Sequence, residues 1–432
     1  MARKMKDSGV EWIGDIPEEW KITRLKYLAD FEPTCDTSYL TDESKITYTP
    51  MECVKNGGFE NRSALYGNLS HTLTPFQNGD IAMAKVTPCF ENGNIAIMNN
   101  LFSGFGLGSS ELFIFRPKGI STRYFFYWLQ NKAFVARACS TMTGTGGLKR
   151  ISPSFIRNCP VHYPSTDEQT KISDYLDAKC SELDVMLSKT RSSIDEYKKL
   201  KQAVITQAVT KGVRGEREMK DSGVEWIGKI PREFDPVQLK FFCKLITDGT
   251  HFSPTTVENG WPYITAGDVH GIGLDYNSAK RISEEDFQLL VAQGCQPLKG
   301  DVLLVKDGAT TGRVGFVDSD TPCVILSSVA MLRPADNADG HYLMYLLASD
   351  FLQKQILVSM AGSAMPRTTL TKLTKYIGLL PPLHEQKEIA NYLDAKCAEI
   401  DKLIAKKEQL VKELESYKKS LIYEVVTGKR EV

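Results

Sequence analysis

Residues 168–187 read EQTKISDYLDAKCSELDVML and begin a run of more than forty residues without proline or glycine. Almost the same stretch returns 217 residues later as EQKEIANYLDAKCAEIDKLI, at residues 385–404. Seam side chains recur at spacings that alternate between four and three, which is the heptad pattern of a coiled coil. The pattern predicts two long helices that bury their seams against each other. The apolar seam positions include Leu176, Leu183, Leu187 and Ile194 in the first copy, and Leu393, Ile400, Ile404 and Val411 in the second.

Polar residues interrupt both predicted seams. Lys201 and Lys418 occupy equivalent seam positions, 217 residues apart. Polar seam residues lower the stability of a coiled coil but can fix its register. The alternative is a seam that is wetted by the stems of long side chains, and the sequence leaves both interpretations open.

A second repeat indicates an internal duplication. MKDSGVEWIG at residues 5–14 returns at residues 219–228, an offset of 214 residues. A period of half the chain excludes a solenoid and predicts two related halves. The intervening segments differ, but fainter echoes remain. These are Gly79-Asp80 with Lys85 against Gly300-Asp301 with Lys306, Arg116-Pro117 against Arg333-Pro334, and the Gly-rich turns Gly144 to Arg150 and Gly362 to Arg367.

Turn-rich, β-rich segments fill the chain before each predicted helix. We therefore expect an N-terminal segment and first globular head in residues 1–165, a long helix in 166–215, the repeated segment and second head in 216–382, and a second long helix in 383–432. The link after the first helix is short, so the second helix must run back along the first. The expected fold class is α+β, with two globules separated by two long antiparallel coiled-coil helices and a pseudo-twofold internal repeat.

Composition excludes several classes of protein. Lys+Arg and Asp+Glu both number 53, and no apolar run approaches the roughly 18 residues of a membrane helix. The first residues lack an apolar segment typical of a secretory signal, so a cytoplasmic protein is expected. The ten cysteines form no C-x-x-C pair, which favours reduced thiols over a zinc site. No P-loop and no Asn-Pro-Pro-Tyr motif of an adenine methyltransferase is present, so the chain alone should catalyse nothing.

Three groups of motifs together resemble a known family. They are DSGVEWIG with its following Ile-Pro in both copies, PPLHEQ at residues 381–386, and the head motifs GDIAMAKVTPCFENG at 79–93, DGTH at 248–251 and GDVLLVKDG at 300–308. Together they resemble the specificity (S) subunit of type I restriction–modification systems, over essentially the whole chain. The resemblance implies a non-catalytic subunit that reads a bipartite double-stranded DNA target with two recognition domains.

The resemblance also implies partners. Two methyltransferase (modification) subunits would dock on the long helices, restriction/translocase subunits would join them, and no membrane would be involved. S-adenosylmethionine, ATP and Mg are expected on those partner subunits, and no cofactor on this chain. Two alternatives remain open. One is a coiled-coil adaptor that pairs protein ligands without DNA specificity, and the other is the recognition half of an enzyme whose catalytic part lies elsewhere.

The heads differ in charge. Residues 21–165 carry 15 Lys and Arg against 10 Asp and Glu, and residues 237–381 carry 12 against 14. Only the first head has the positive balance typical of a DNA-binding surface, so a basic surface on the second must be local. The candidate DNA-binding residues are Lys85, Asn92, Lys149, Arg150 and Arg157 in the first head, and His251, Lys306, Arg313, Arg367 and Lys372 in the second.

Arg150 and Arg367 are the strongest of these candidates, because each lies just beyond a Gly-rich turn. Turn amides can approach a phosphate there, while a guanidinium can bond a guanine edge with two hydrogen bonds. For each candidate base the alternative is an ordinary solvated surface charge. Trp12 and Trp226 occupy the identical segments of the two halves, which suggests that they pack the heads onto the coil.

Overall fold

The computed structural model describes residues 3–70, 72–145, 147–271, 273–360 and 366–432. It forms two compact units: the first contains Met1–Arg191 and Gln409–Val432, and the second contains Ser192–Glu408. Each unit holds one head and part of each long helix, whereas the boundaries expected from the sequence place heads and helices in separate parts. The mixed helix-and-sheet class, the internal repeat and the long helices are confirmed. The Gly362 end of the second Gly-rich turn lies outside the described residues.

The first head is built from short strands around two four-stranded sheets. Its strands are β1 (Met5–Asp7), β2 (Asp15–Pro17), β3 (Lys21–Arg24), β4 (Ala29–Phe31), β5 (Lys45–Thr49), β6 (Val54–Lys55), β7 (Gly58–Phe59), β8 (Arg62–Leu65), β9 (Thr74–Gln77), β10 (Ile81–Ala84), β11 (Ile95–Ile97), β12 (Phe105–Gly108), β13 (Leu112–Pro117) and β14 (Pro160–Tyr163). The helices are α1 (Thr122–Trp128), α2 (Lys132–Ser140), α3 (Pro153–Asn158) and the long α4 (Thr166–Lys211). The sheet orders are β11-β10-β13-β4 and β8-β5-β12-β9, and β14 pairs with β3.

The second head repeats this plan. Its strands are β15 (Met219–Asp221), β16 (Lys229–Pro231), β17 (Asp235–Gln238), β18 (Cys243–Asp248), β19 (Thr256–Val257), β20 (Trp261–Ile264), β21 (Val269–His270), β22 (Gly273–Leu274), β23 (Lys280–Ile282), β24 (Val302–Val305), β25 (Val314–Phe316), β26 (Val324–Ile325), β27 (Val329–Pro334) and β28 (Ile377–Leu380). The helices are α5 (Glu284–Ala292), α6 (Gly340–Ala348), α7 (Asp350–Met360), α8 (Leu370–Leu373) and the long α9 (Leu383–Val426). The sheet orders are β18-β27-β24-β25 and β19-β23-β20-β26.

The central strand pair has the same antiparallel arrangement in the two heads. β10 runs antiparallel to β13 with Ala84 opposite Leu112, and β24 runs antiparallel to β27 with Val305 opposite Val329. All residues of β10 and β24 are buried, as expected of strands that are covered on both faces. The heads differ just before this pair, where the first has strand β9 and the second has helix α5.

A buried ion pair joins the two sequence echoes at one end of these strands. Asp80, 1% exposed, accepts two hydrogen bonds of 2.8 Å from the Arg116 guanidinium. Asp301, 3% exposed, accepts bonds of 3.0 and 2.7 Å from Arg333 in the same way. A nearly buried carboxylate needs such a bidentate partner. The matching Gly-Asp and Arg-Pro motifs of the two halves therefore correspond to one ion pair that both heads form.

The long helices bury the predicted seam. All the apolar seam side chains named above are buried, except Val411, which is half-buried. These side chains therefore serve the chain's own helix packing and are not free to bind a partner. Within the first unit the helices are antiparallel, because Asp184 and Arg191 of α4 lie 2.6 and 2.5 Å from Lys418 and Glu415 of α9, in reverse order. The second unit repeats this pair, with Lys201 of α4 lying 2.6 Å from Asp401 of α9.

These ion pairs account for the polar seam positions. Lys201 and Lys418 are only 21% and 16% exposed, so their stems lie in the seam while each ammonium reaches an acid on the facing helix. Since the two pairs stand at equivalent positions, they fix the same register in each unit. The polar seam lysines therefore do both things that the sequence left open: their stems line the seam, and their charges pair across it.

Each head is tied to the first turn of its own long helix. The buried Gln169 side chain accepts a hydrogen bond from the Ser121 N–H and donates to the Pro164 carbonyl. Gln386 does the same for the Asp339 N–H and the Pro381 carbonyl. These bonds explain why a Glu-Gln pair opens both copies of the helix.

The glutamate just before each of these glutamines forms an ion pair with an arginine near the start of its own repeat. Arg3 lies 2.6 Å from Glu168, and Arg217 lies 2.5 Å from Glu385, in the first and second units respectively. Trp20 adds an indole N–H bond of 3.2 Å to Glu168, whereas Phe234 stands at the equivalent place in the second head. Trp12 is partly buried against the first core, which contains side chains of the head and of both long helices. Trp226 is 59% exposed, so the packing predicted for the tryptophans is wrong for the second head.

Candidate nucleic-acid interface

Backbone hydrogen bonds fix Arg150 at the free end of the central strand pair of the first head. Arg150 and Thr143 exchange backbone bonds of 2.8 and 3.1 Å, and the Ile151 N–H donates to the Lys85 carbonyl at 3.0 Å. Gly144 opens the turn between them at φ +150°, where an added Cβ would lie 2.1 Å from a backbone oxygen of the same turn. Hydrogen bonds to two neighbouring segments therefore set the backbone position of Arg150.

The Arg150 guanidinium is held on one edge by Glu111, the residue before β13. Nε lies 3.0 Å from Oε2, and Nη2 lies 2.7 Å from Oε1. Hydrogen bonding from Arg150 lowers the pKa of the Glu111 carboxyl, and the charges of Arg150 and Lys85 lower it further. The carboxylate therefore stays ionised at neutral pH. Within the described residues Nη1 has no partner, so the outer edge of the guanidinium is open to solvent.

Arg367 holds the same backbone position in the second head. The Thr368 N–H donates to the Lys306 carbonyl at 2.9 Å, which matches the bond from Ile151 to Lys85. Asp307 and Arg367 form an isolated antiparallel bridge, just as Val86 and Arg150 do. The Arg367 side chain is 59% exposed, and its Nε lies 2.9 Å from Asp307 Oδ1.

The carboxylate that holds the arginine comes from a different strand in each head. The Lys85 N–H donates to the Glu111 carbonyl, and the Lys306 N–H donates to the Ser328 carbonyl, so Ser328 stands where Glu111 does. Asp307 in turn stands where the first head has Val86. The sequence analysis missed both acids, although the Lys-Asp-Gly motif of the second head contained one of them.

Lys306 does not lie on the surface, which contradicts its prediction as a DNA contact. Its side chain is 3% exposed, and its ammonium lies 2.9 Å from Asp307 and 3.3 Å from Asp248. A buried ammonium between two carboxylates cannot reach a base or phosphate. Its place in this structure is to balance the charge of the acid that holds Arg367.

The other candidates of the first head divide between the two sides of the strand pair. Lys149 is exposed beside Arg150. Lys85 is half-buried, and its ammonium lies over the Phe113 ring, 5.5 Å from the ring centre. Asn92 is exposed but lines a groove of about 680 Å³ next to α2, α4 and α9 of the same unit. Arg157, on α3, stacks 5.1 Å from the Phe31 ring. Only Lys85 and Lys149 are thus brought together with Arg150.

In the second head the DGTH motif folds against the same sheet end. An added Cβ on Gly249 would lie 1.9 Å from the Ile325 carbonyl oxygen, so only glycine fits there. The Ser327 N–H donates to the Thr250 carbonyl at 2.9 Å. Exposed His251 lies three residues beyond the end of β18, whose last residue, Asp248, is 3.3 Å from the Lys306 ammonium. This motif therefore builds the loop from which His251 projects.

Arg313 and Lys372 complete the second set. Arg313 is exposed next to β24, and its side chain has no partner among the described residues. Lys372 donates to the Ser359 carbonyl near the end of α7, so its ammonium is already engaged. Among the candidates of the second head, Arg367 and Arg313 thus keep an exposed guanidinium, which is consistent with a local basic surface on a head of net negative charge.

Other kinds of site are scarce in the part of the chain that the structure describes. No cluster of His, Cys, Asp or Glu in those ranges could hold a metal ion, and none of their helices is long and apolar enough to cross a membrane. The ten cysteines are free thiols.

Comparison with known proteins places both halves of the chain in one family. A model described as the type I restriction modification DNA specificity domain matches residues 17–186 and 231–413. The specificity subunit of the type I restriction enzyme EcoAI of Escherichia coli is 32% identical over 196 residues, 44% of this chain and 33% of that protein. The specificity subunit of the MjaVIII enzyme of Methanocaldococcus jannaschii is 24% identical over 434 residues, 96% of this chain and 93% of that protein.

The matched stretch thus spans about a third of the length of the EcoAI and EcoEI specificity subunits of Escherichia coli. A solved structure from work on complex assembly and conformational transition of the type I R-M system is also similar. It has a TM-score of 0.73 and 17% identity, and covers 96% of this chain and 99% of that chain. This likeness shows the fold alone.

Proposed function

Since the chain belongs to the family of type I restriction modification DNA specificity domains, we propose that it is the DNA-recognition subunit of such a complex. Each head reads one half of a bipartite sequence in double-stranded DNA. The subunit selects the site, and the chemistry belongs to other chains.

One observation supports this proposal most directly. Two heads with the same strand frame place an exposed arginine at the same backbone position, while the loops and acids around it differ. Equivalent placement indicates the same class of ligand for both heads. Different surroundings indicate different sequences, because base edges are told apart by the donors and acceptors that face them.

The proposal extends to partners and cofactors. Two methyltransferase subunits dock on this chain, and restriction/translocase subunits complete the assembly. S-adenosylmethionine, ATP and Mg act on those subunits, and the specificity subunit itself transfers no methyl group and cuts no strand. The location that follows from this role is the cytoplasm, where the DNA target lies.

Mapping of methylated sites tests the proposal. The complex of this chain with its methyltransferase subunits would be given genomic DNA, and every modified adenine would be sequenced. The expected result is one site made of two short fixed sequences with a fixed unread spacer. A matched reaction without this chain should modify no defined site.

Three outcomes would contradict the proposal. Modification without any shared sequence would remove the role in specificity. Co-purification of two protein ligands with no sequence-dependent retention of DNA would instead favour an adaptor. Methyl transfer to DNA by the purified chain alone would overturn the assignment of the chemistry to other subunits.

A further inference from the structure

Resting on the proposed function, we propose that Glu111 and Asp307 are specificity-determining positioning residues that set Arg150 and Arg367 to read a guanine in each half-site. Neither carboxylate contacts DNA in this account. Each acts through the arginine that it holds.

The geometry of the first head carries the inference. Glu111 engages the Nε and Nη2 edge of Arg150 with two hydrogen bonds, at 3.0 and 2.7 Å. A guanidinium has five N–H donors in one plane, so the Nη1 and Nη2 donors on its outer edge stay available. This outer pair matches the O6 and N7 acceptors of guanine in the major groove. One arginine can therefore be clamped and read a base at the same time.

The second head pairs its arginine with an acid from another position. Asp307 Oδ1 lies 2.9 Å from Arg367 Nε as an ion pair that lacks hydrogen-bond geometry, and Asp307 corresponds to Val86 and not to Glu111. The pair is bidentate in the first head and a single charge contact in the second. An acid beside the Nε edge of both arginines, supplied from non-equivalent positions, supports a positioning role.

Charge compensation makes such a clamp compatible with DNA. A bare carboxylate facing a phosphate backbone would be repelled. The buried ammonium of Lys306 lies 2.9 Å from Asp307 and offsets the charge of that carboxylate. In the first head, the charge of Lys85 contributes to lowering the pKa of Glu111. In the second head the acid thus lies between a buried lysine and the arginine that faces outward, whereas in the first head half-buried Lys85 acts on Glu111 through its charge alone.

The experiment measures base preference and binding strength separately. Complexes of the methyltransferase subunits with wild-type chain or with Glu111→Gln would be tested on their mapped site, on single-base variants of each half-site and on unrelated duplex DNA. The wild type should require guanine at one position of each half-site. Glu111→Gln should weaken that preference about five- to tenfold in the first half-site only, since a bidentate pair discriminates by about that factor or more.

Binding to unrelated DNA supplies the readout that a purely structural role would not give. It should stay unchanged or rise with Glu111→Gln, because a negative charge has been removed near the DNA. The double variant Glu111→Ser with Val86→Asp moves the acid to the place that it has in the second head, and it should recover most of the preference. Glu111→Asp keeps the negative charge on a shorter side chain, so its guanine preference should lie between those of the wild type and Glu111→Gln. It replaces Glu111→Gln in the test if that variant does not fold.

Defined outcomes separate this inference from the proposed function. If the wild-type complex modifies no defined sequence, the proposed function fails. If the sites are defined but the first half-site contains no required guanine, or if Glu111→Gln and Glu111→Asp keep the full preference, only the present inference is overturned. Equal weakening on all DNA would show a structural role and would also overturn it.

Discussion

The two heads of this protein share a strand frame but solve the same local problems with different residues. Both pin the central strands with a buried Asp–Arg pair, Asp80–Arg116 in one and Asp301–Arg333 in the other. At the opposite end of the strands both heads keep the arginine, but its acid is the residue before β13 in the first head and the residue after β24 in the second. The comparison teaches that the fold fixes the position of the presented guanidinium and leaves its neighbours free to vary.

A second contrast lies where each head meets its long helix. His162 is buried in the first head, between Trp20 and the Val426 carbonyl, and Leu379 replaces it in the second. Trp20 bonds Glu168, whereas Phe234 has no donor to give Glu385. The first unit thus uses polar contacts where the second uses apolar packing.

The largest effect should follow from breaking the shared ion pair. Asp80→Asn leaves Arg116 without its charged partner in a nearly buried site, which should destabilise the first unit by roughly 3 kcal/mol. Asp301→Asn should do the same to the second unit. Hydrogen exchange measured peptide by peptide reports each unit in one molecule. Glu43→Gln on the exposed surface is the control, and small, unequal losses in the two units would break the comparison.

A slightly smaller effect should appear with pH. Burial lowers the pKa of His162 to about 4, whereas an unfolded histidine takes up its proton near pH 6.5. Between these values the unfolded state binds a proton that the folded state lacks. Stability of the first unit should therefore fall as pH falls from about 6.5 to 4, by at most roughly 3 kcal/mol.

His162→Leu copies the second head and should remove this part of the pH dependence. The free energy of unfolding in urea would be measured for the wild type and for His162→Leu at pH 7 and at pH 5. The second unit serves as the internal reference. An identical pH dependence before and after the substitution would show that His162 is not the group responsible.

The Trp20 contrast should be worth less. Trp20→Phe removes the indole bond to Glu168 but keeps the Arg3 pair, so it should cost the first unit about 2 kcal/mol, as for a hydrogen bond to a charged group. The urea midpoint would be compared with that of Phe234→Tyr, which alters the matching aromatic of the second unit. No loss with Trp20→Phe would mean that Arg3 alone satisfies Glu168.

The smallest effect is expected at the helix ion pairs. Lys201→Met and Lys418→Met keep the buried stem and remove an ammonium that pairs with an exposed aspartate. Such pairs contribute about 0.5 kcal/mol, and the contribution should shrink in high salt. Thermal melts at low and high salt would show this, and a loss above about 2 kcal/mol for either variant would contradict a surface-pair energy.

The sequence predicted the parts of the molecule that repeat at a fixed offset. The heptads, the Glu-Gln helix starts and the Asp-to-Arg echoes all appear as packed or paired residues. Arg150 and Arg367 were singled out because a Gly-rich turn precedes each, and both are exposed at equivalent backbone positions, while their contact with DNA stays a prediction. The sequence did not predict which candidate lysines are buried. Lys306 and half-buried Lys85 follow a Gly-Asp pair at the same spacing, but Lys306 is enclosed by Asp248, which lies far away in the sequence. The acids that hold the arginines were missed for the same reason, because pairing across strands depends on register.

The central claim is that each head reads one half of the DNA site through the arginine at this shared position. Arg150→Ala and Arg367→Ala, each in complex with the methyltransferase subunits, would be assayed for binding to the intact site and to sites altered in one half. We predict that each variant loses about 1–3 kcal/mol of discrimination in one half-site, a different half for each, and keeps the other. Equal loss on every DNA sequence, or loss in the same half-site for both variants, would contradict the account.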